Sequence, residues 1–138
     1  MIGILILTHG ELAKGYVSAL NLIYGEADNV DCLCLFHETS IDDYKKEVAE
    51  KMRELAMNDG VLVLCDIFGA SPYNVTAQNY KELKDEVNYR SITGVNLPMV
   101  IEAVANRDVM SLDELAKHVQ AVGKDGIKEL FETMGKEG

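Results

Sequence analysis

Three almost wholly apolar runs, IGILIL at residues 2–7, VDCLCLF at 30–36 and GVLVLCD at 60–66, constrain this chain more than any other feature. A strand with one face in water alternates polar and apolar residues. A strand covered on both faces reads as a continuous apolar run. Between the runs the period changes. Leu12, Tyr16, Leu20 and Ile23 return every three or four residues up to Gly25, which predicts a helix with a glycine stop. Ser40 and Asp43 read as a helix opening, followed by Ile41, Tyr44, Val48, Met52 and Leu55 on one face. Ser71-Pro72 reads as an N-cap and a proline at the first helical position, opening a helix to about Leu83.

A fourth strand is expected at Val87–Ile92. Asn96 then reads as the cap of a helix bearing Val100, Ile101 and Val104, and Ser111 with Glu114 as a capping box before Leu115, Val119 and Val122. The closing stretch GIKELFETMGKEG fits no single period. Strand and helix alternating in this way require right-handed crossovers. The expected fold is therefore α/β, an open, doubly wound, mostly parallel sheet with helices on both faces. No repeat, low-complexity tract or linker divides the 138 residues, so a single domain over 1–138 is expected.

Composition narrows the function. Acidic residues outnumber basic ones 23 to 13, a formal charge of −10, and the resulting field repels nucleic acid and anionic lipid while attracting a basic partner. The three cysteines, Cys32, Cys34 and Cys65, lie inside apolar runs and read as reduced, buried thiols of a cytoplasmic protein. No metal or cofactor is expected, because the Cys32/Cys34 spacing lacks converging ligands. The opening MIGILILTHGELAKG lacks a basic leader and a small-residue cleavage site, and no apolar run approaches the roughly 20 residues of a membrane span.

The chemistry is expected where strands end. In open α/β sheets the crevice lies outside the carboxyl ends of the strands, where strand order reverses. His9 follows the first strand and Asp66 ends the third. In the order 2-1-3-4 these strands are neighbours, so a carboxylate meets an imidazole. The carboxylate accepts from one ring nitrogen, fixes the tautomer and leaves the other nitrogen's lone pair outward as a nucleophile. Gly69 and Ala70 are small enough for the main chain to approach a ligand, Ser71 brings a hydroxyl to a helix start, and Gly10 lets the first helix begin tightly beside His9. His37 and Asn96 are further rim candidates, Asn96 reading equally as a helix cap. Histidine, aspartate and two helix N-termini suit a transferring phosphoryl group, whose catalysis is positioning and charge stabilisation. No Walker loop is present to hold a nucleotide. On position alone His9 reads more often as a hydrogen-bonded loop residue, and Asp66 and Ser71 give it weight only together.

The motifs LTHGELA, CDIFGASPYN and TGVNLPMVIEA occur in that order along the chain. The sequence resembles the IIA component of the mannose family of the bacterial sugar phosphotransferase system over essentially its whole length. The resemblance implies that His9 is the phosphorylated histidine, that Asp66 orients it, and that Ser71 lies near the phosphoryl group. It implies a phosphotransferase with a phosphohistidine intermediate, taking phosphate from the histidine-containing phosphocarrier protein and giving it to the IIB component, which serves membrane permease components. It also implies a homodimer, commonly with an exchanged C-terminal strand. Ala70 stands where the family usually has a second glycine, and FHETS replaces a common proline-glycine turn. Many relatives continue through a Pro/Ala-rich linker into a IIB domain. These residues contain no such linker, so IIB is expected on a separate chain.

Within the same fold family, the phosphotransferase subunit of a dihydroxyacetone kinase is the alternative, distinguished by its acceptor. From other classes, a receiver phosphorylated on Asp66 would need an acidic pair after the first strand, which THGE does not supply. A flavodoxin would need flavin-stacking aromatics, and the chain has no Trp. A module that simply binds an anion remains open on the residues alone.

Overall fold

A computed structural model describes residues 1–135. The order is β1 (Gly3–His9), α1 (Leu12–Ile23), β2 (Val30–Leu35), α2 (Ile41–Ala56), β3 (Val61–Cys65), α3 (Ser71–Gln78), α4 (Tyr80–Leu83), β4 (Tyr89–Ile92), α5 (Leu97–Asn106), α6 (Leu112–Asp125) and α7 (Leu130–Thr133). The four strands form one parallel sheet in the order β2-β1-β3-β4. This is the doubly wound order expected from the sequence.

Successive strand side chains point to opposite faces, so each apolar run feeds two cores. Ile4, Ile6, Leu62 and Leu64 pack with Leu20 of α1, Val100 of α5 and Leu115 of α6. Leu5, Leu7, Val61 and Val63 pack on the other face with Tyr44, Val48 and Met52 of α2 and Val75 of α3. At about 1.5–3 kcal/mol for each large apolar side chain fully buried, these two layers are the main stabilising term.

The amino ends of the strands are tied down. Ile4 N–H donates to Asn29 O at 3.0 Å, and Gly3 N–H to Gly60 O at 2.9 Å. The guanidinium of Arg107, 5% exposed, donates from Nη1 to Ile2 O at 3.2 Å and from Nη2 to Asp28 O at 2.6 Å. Polar groups buried there are therefore satisfied by one side chain.

Four details depart from the sequence reading. β4 starts at Tyr89 instead of Val87, because Val87 N–H still bonds to Leu83 O at 2.8 Å. The helix expected to run to Leu83 is broken at Asn79, a buried residue whose amide donates to Lys45 O of α2 at 3.1 Å. The N-cap of α3 is Ala70, with extended backbone, and Ser71 is already the first helical residue. Lastly, the C-terminal stretch that the resemblance links to an exchanged strand carries the helical turn α7 in the single chain, and residues 136–138 lie outside the described residues. The caps at Ser40, Asn96 and Ser111 are as expected, Ser111 and Glu114 forming the full capping box.

Gly3 marks the closest approach of sheet and helix. A Cβ there would sit 2.5 Å from Leu55 O and 2.7 Å from Leu55 Cβ. Gly3→Ala should therefore cost about 1–3 kcal/mol through forced displacement of α2, read as a lowered urea midpoint. An unchanged midpoint would contradict this packing.

Candidate active site

β1 has β2 on one side and β3 on the other. The chain leaves β1 for α1 on one face and β3 for α3 on the other, which opens a crevice above the two neighbouring strand ends. His9 is the last residue of β1, paired with Leu35 of β2. Asp66 is the residue after β3, which ends one position earlier than the sequence suggests.

The structure brings these two side chains together. Asp66 Oδ2 lies 2.7 Å from His9 Nδ1 and also accepts the main-chain N–H of His9 at 2.8 Å. Its Oδ1 accepts the N–H of Ile67 at 2.8 Å. A carboxylate has no proton to give, so Nδ1 is the donor and Nε2 keeps its lone pair. The His9 side chain is 48% exposed and that of Asp66 only 8%. The carboxylate is thus held inside while the ring faces outward. Burial alone would raise the Asp66 pKa, but bonds from the His9 N–H, the His9 ring and the Ile67 N–H outweigh it, leaving the carboxyl below its ordinary range.

Local structure explains the placement. Gly10 turns the chain at φ +55°, a left-handed conformation that favours glycine. Its N–H donates to Leu35 O at 2.8 Å. That amide is thereby tied to the neighbouring strand, while the turn at Gly10 starts α1 close beside His9 as expected. Thr8, fully buried, accepts Ala13 N–H at 2.7 Å and so caps α1 from within the strand.

The second helix end is assembled from the expected residues in shifted roles. Gly69 O accepts Asn74 Nδ2 at 2.8 Å, and Ala70 caps α3 without a side-chain bond. The hydroxyl of Ser71 is consequently not used in capping. The first turn of a helix also leaves N–H groups without intrahelical partners. His37 lies exposed in the turn closed by Phe36 and Thr39, two residues beyond Leu35. Asn96 accepts Met99 N–H at 3.2 Å and donates to Gly123 O at 3.0 Å, so it joins α5 to α6 as a cap.

Sequence reasoning missed three features: the His9 main-chain bond to Asp66, the Thr8 cap, and a bond from Tyr16 to Val95 O at 3.0 Å. Thr8 carried a signal, as a polar residue set between the apolar run 2–7 and His9. It also missed the apolar rim at this edge of the sheet, where Leu12, Phe36, Ile41, Ile67 and Phe68 are all exposed, Phe68 to 76%. Cys32 and Cys34 are half-buried against the core, and His118 bonds Glu102 across α5 and α6 at 2.9 Å, away from the strand ends. No helix among the described residues is long and apolar enough to cross a membrane.

The sequence model of the family described as PTS system fructose IIA component matches residues 3–120. The PTS system mannose-specific EIIAB component of Escherichia coli K12 is 34% identical over 134 residues; the match covers 94% of this chain and 39% of that one. This chain therefore spans well under half of that relative's length. The PTS system fructose-specific EIIA component of Bacillus subtilis 168 is 26% identical, with 99% and 91% of the two chains covered. Among solved structures, phosphotransferase system component EIIA from Streptococcus agalactiae superimposes with a TM-score of 0.87 at 29% identity, over 96% of this chain and 99% of that one.

The bonds on Asp66 have a pH signature. Because its folded pKa is depressed, the stabilisation is complete above the unfolded carboxyl value near 3.9 and is lost as pH falls through the lower folded value. The gap in urea midpoint between wild type and Asp66→Asn should be full at neutral pH and narrow below about pH 4. A gap that stays constant into that acid range would contradict the assigned hydrogen bonds.

Proposed function

Because the chain belongs to the mannose-type IIA family of the phosphotransferase system, we propose that it is a phosphoryl relay in which His9 takes phosphate from the histidine-containing phosphocarrier protein and passes it to a IIB component for sugar uptake. One observation carries the reading: His9 Nδ1 lies 2.7 Å from a buried carboxylate oxygen while the ring is exposed.

His9 Nε2 attacks the phosphorus in line as the donor's phosphorus–nitrogen bond breaks, and the donor imidazole departs. The new bond leaves the His9 ring cationic, with Nδ1–H still donated to Asp66. The carboxylate stabilises that charge in the way the aspartate of a hydrolytic triad stabilises its imidazolium. The Ser71 hydroxyl and the first-turn N–H groups of α3 offer donors to the transferring oxygens, and the helix dipole favours their negative charge. Transfer to IIB repeats the step in reverse, with Nε2 as leaving group. The exposed apolar rim suits a protein donor, because a patch of this kind next to a reacting group is a contact surface. The formal charge of −10 favours a basic one.

The homodimer belongs to the same proposal. β4 is an edge strand, and beside it runs a groove of about 460 Å³ lined by Phe68, Tyr73, Met99 and Ile127 among others. Leu130, Phe131 and Met134 of the tail are exposed. A second copy that covers these surfaces also covers the open strand edge.

Incubation with phosphoenolpyruvate and the phosphocarrier system should label the wild type with phosphate that survives base and is lost in acid. His9→Ala should take up none, and Asp66→Asn should be phosphorylated about 10- to 100-fold more slowly, the value of a hydrogen bond to a charged group. Undiminished labelling of His9→Ala would overturn the relay. Separately, sedimentation equilibrium should give twice the chain mass of 15.2 kDa, and a monomer at micromolar concentration would overturn the dimer.

A further inference from the structure

We propose that Tyr16 is a positioning residue for this transfer, its hydroxyl holding the Asp66 carboxylate against His9 through the loop that follows β4. The inference rests on the reading of His9 and Asp66 as the transferring pair. Tyr16 lies on α1, the helix that begins just beyond His9. Its Oη donates to Val95 O at 3.0 Å, joining residues 79 apart in sequence. The same loop grips the end of β3: Val95 N–H donates to Cys65 O at 3.0 Å, and Gly94 N–H donates to Asp66 O at 3.1 Å. The loop thus holds the main chain of Asp66 on one side and is held by Tyr16 on the other.

The hydroxyl is placed for that task, its hydrogen bond among the described residues going to Val95 O. The ring packs half-buried against the core cluster beside α5 and α6. Burial, and then the negative charge of Asp66, push the phenol above its ordinary value, so it stays protonated and remains a donor. Core packing alone would be served equally by phenylalanine, since the ring and not the oxygen fills the space. The oxygen adds one link, from the helix that starts at the nucleophile to the strand end that carries its partner. Both halves of the pair are thereby located on one hydrogen-bonded circuit: His9, α1, Tyr16, Val95–Gly94, Asp66 and back to His9. The geometry of such pairs is unforgiving, since a displacement of about 1 Å can cost about 100-fold in rate.

The test is Tyr16→Phe in the full chain, which keeps the ring and removes the link. With the phosphocarrier protein as donor, the maximal rate of phosphorylation should fall about two- to tenfold, the value of one hydrogen bond, while the KM for the carrier stays unchanged. Nitrogen NMR of the His9 ring, recorded without phosphate, should show one tautomer protonated at Nδ1 in wild type and a mixture in the variant. Unchanged ring shifts with an unchanged rate would overturn the proposal. So would a change confined to KM, which would assign the hydroxyl to docking. A wild type that takes up no phosphate would overturn the relay reading itself, and the ring spectra would still decide the role of Tyr16.

Discussion

The parallel pairing of β1 with β3 is the constraint on which the site depends. Its register, Leu7 opposite Cys65 as the last pair, places His9 two residues and Asp66 one residue beyond that pair. The two central strands, buried along their length, carry no charged side chain before their ends, so the ionisable groups of β1 and β3 collect where those strands stop. Here the stopping residues are an imidazole and a carboxylate, and the ladder itself delivers them to 2.7 Å. The main-chain N–H of His9 bonds to the same carboxylate oxygen. Strand and side chain are therefore held by one acceptor: the main-chain bond keeps the carboxylate beside the strand end, and the ring cannot turn away without losing its own bond to that oxygen.

This arrangement separates the two sides of the imidazole. The inner nitrogen lies against a carboxylate whose own burial is compensated by three donors, and the outer nitrogen meets solvent. Around it the apolar side chains Leu12, Phe36, Ile41, Ile67 and Phe68 come from the segments that follow two strands, β2 and β3, and from the starts of two helices, α1 and α2. The surface that would meet a partner is thus made of the same loops that position the reacting pair.

Much of the architecture was legible because it is written in local signals. Continuous apolar runs gave a sheet covered on both faces, and Ser40, Asn96 and Ser111 marked helix starts that the structure bears out. The neighbouring placement of His9 and Asp66 followed from strand order alone. What was illegible depends on contacts distant in sequence. Asn79 breaks a helix because its amide finds Lys45 O, and Tyr16 reaches Val95; neither neighbour is visible from local periodicity. Ser71 was misread as a cap because Ser-Pro is a common helix opening. The extended backbone of Ala70 moved that opening one residue earlier and left the hydroxyl unused. Gly10 was legible as a tight helix start, whereas the bond of its N–H to Leu35 O depends on the neighbouring strand.

The Arg107 clasp at the far end of the sheet gives the molecule two poles of different character. One guanidinium gathers the carbonyls of Ile2 and Asp28, while the crevice pole is closed by loops. Integrity and recognition are therefore lodged at opposite ends of the strands. A lineage could exchange the rim side chains to suit a new carrier with little disturbance to the layer that keeps the chain folded, whereas a change at Arg107 would be felt by every partner alike.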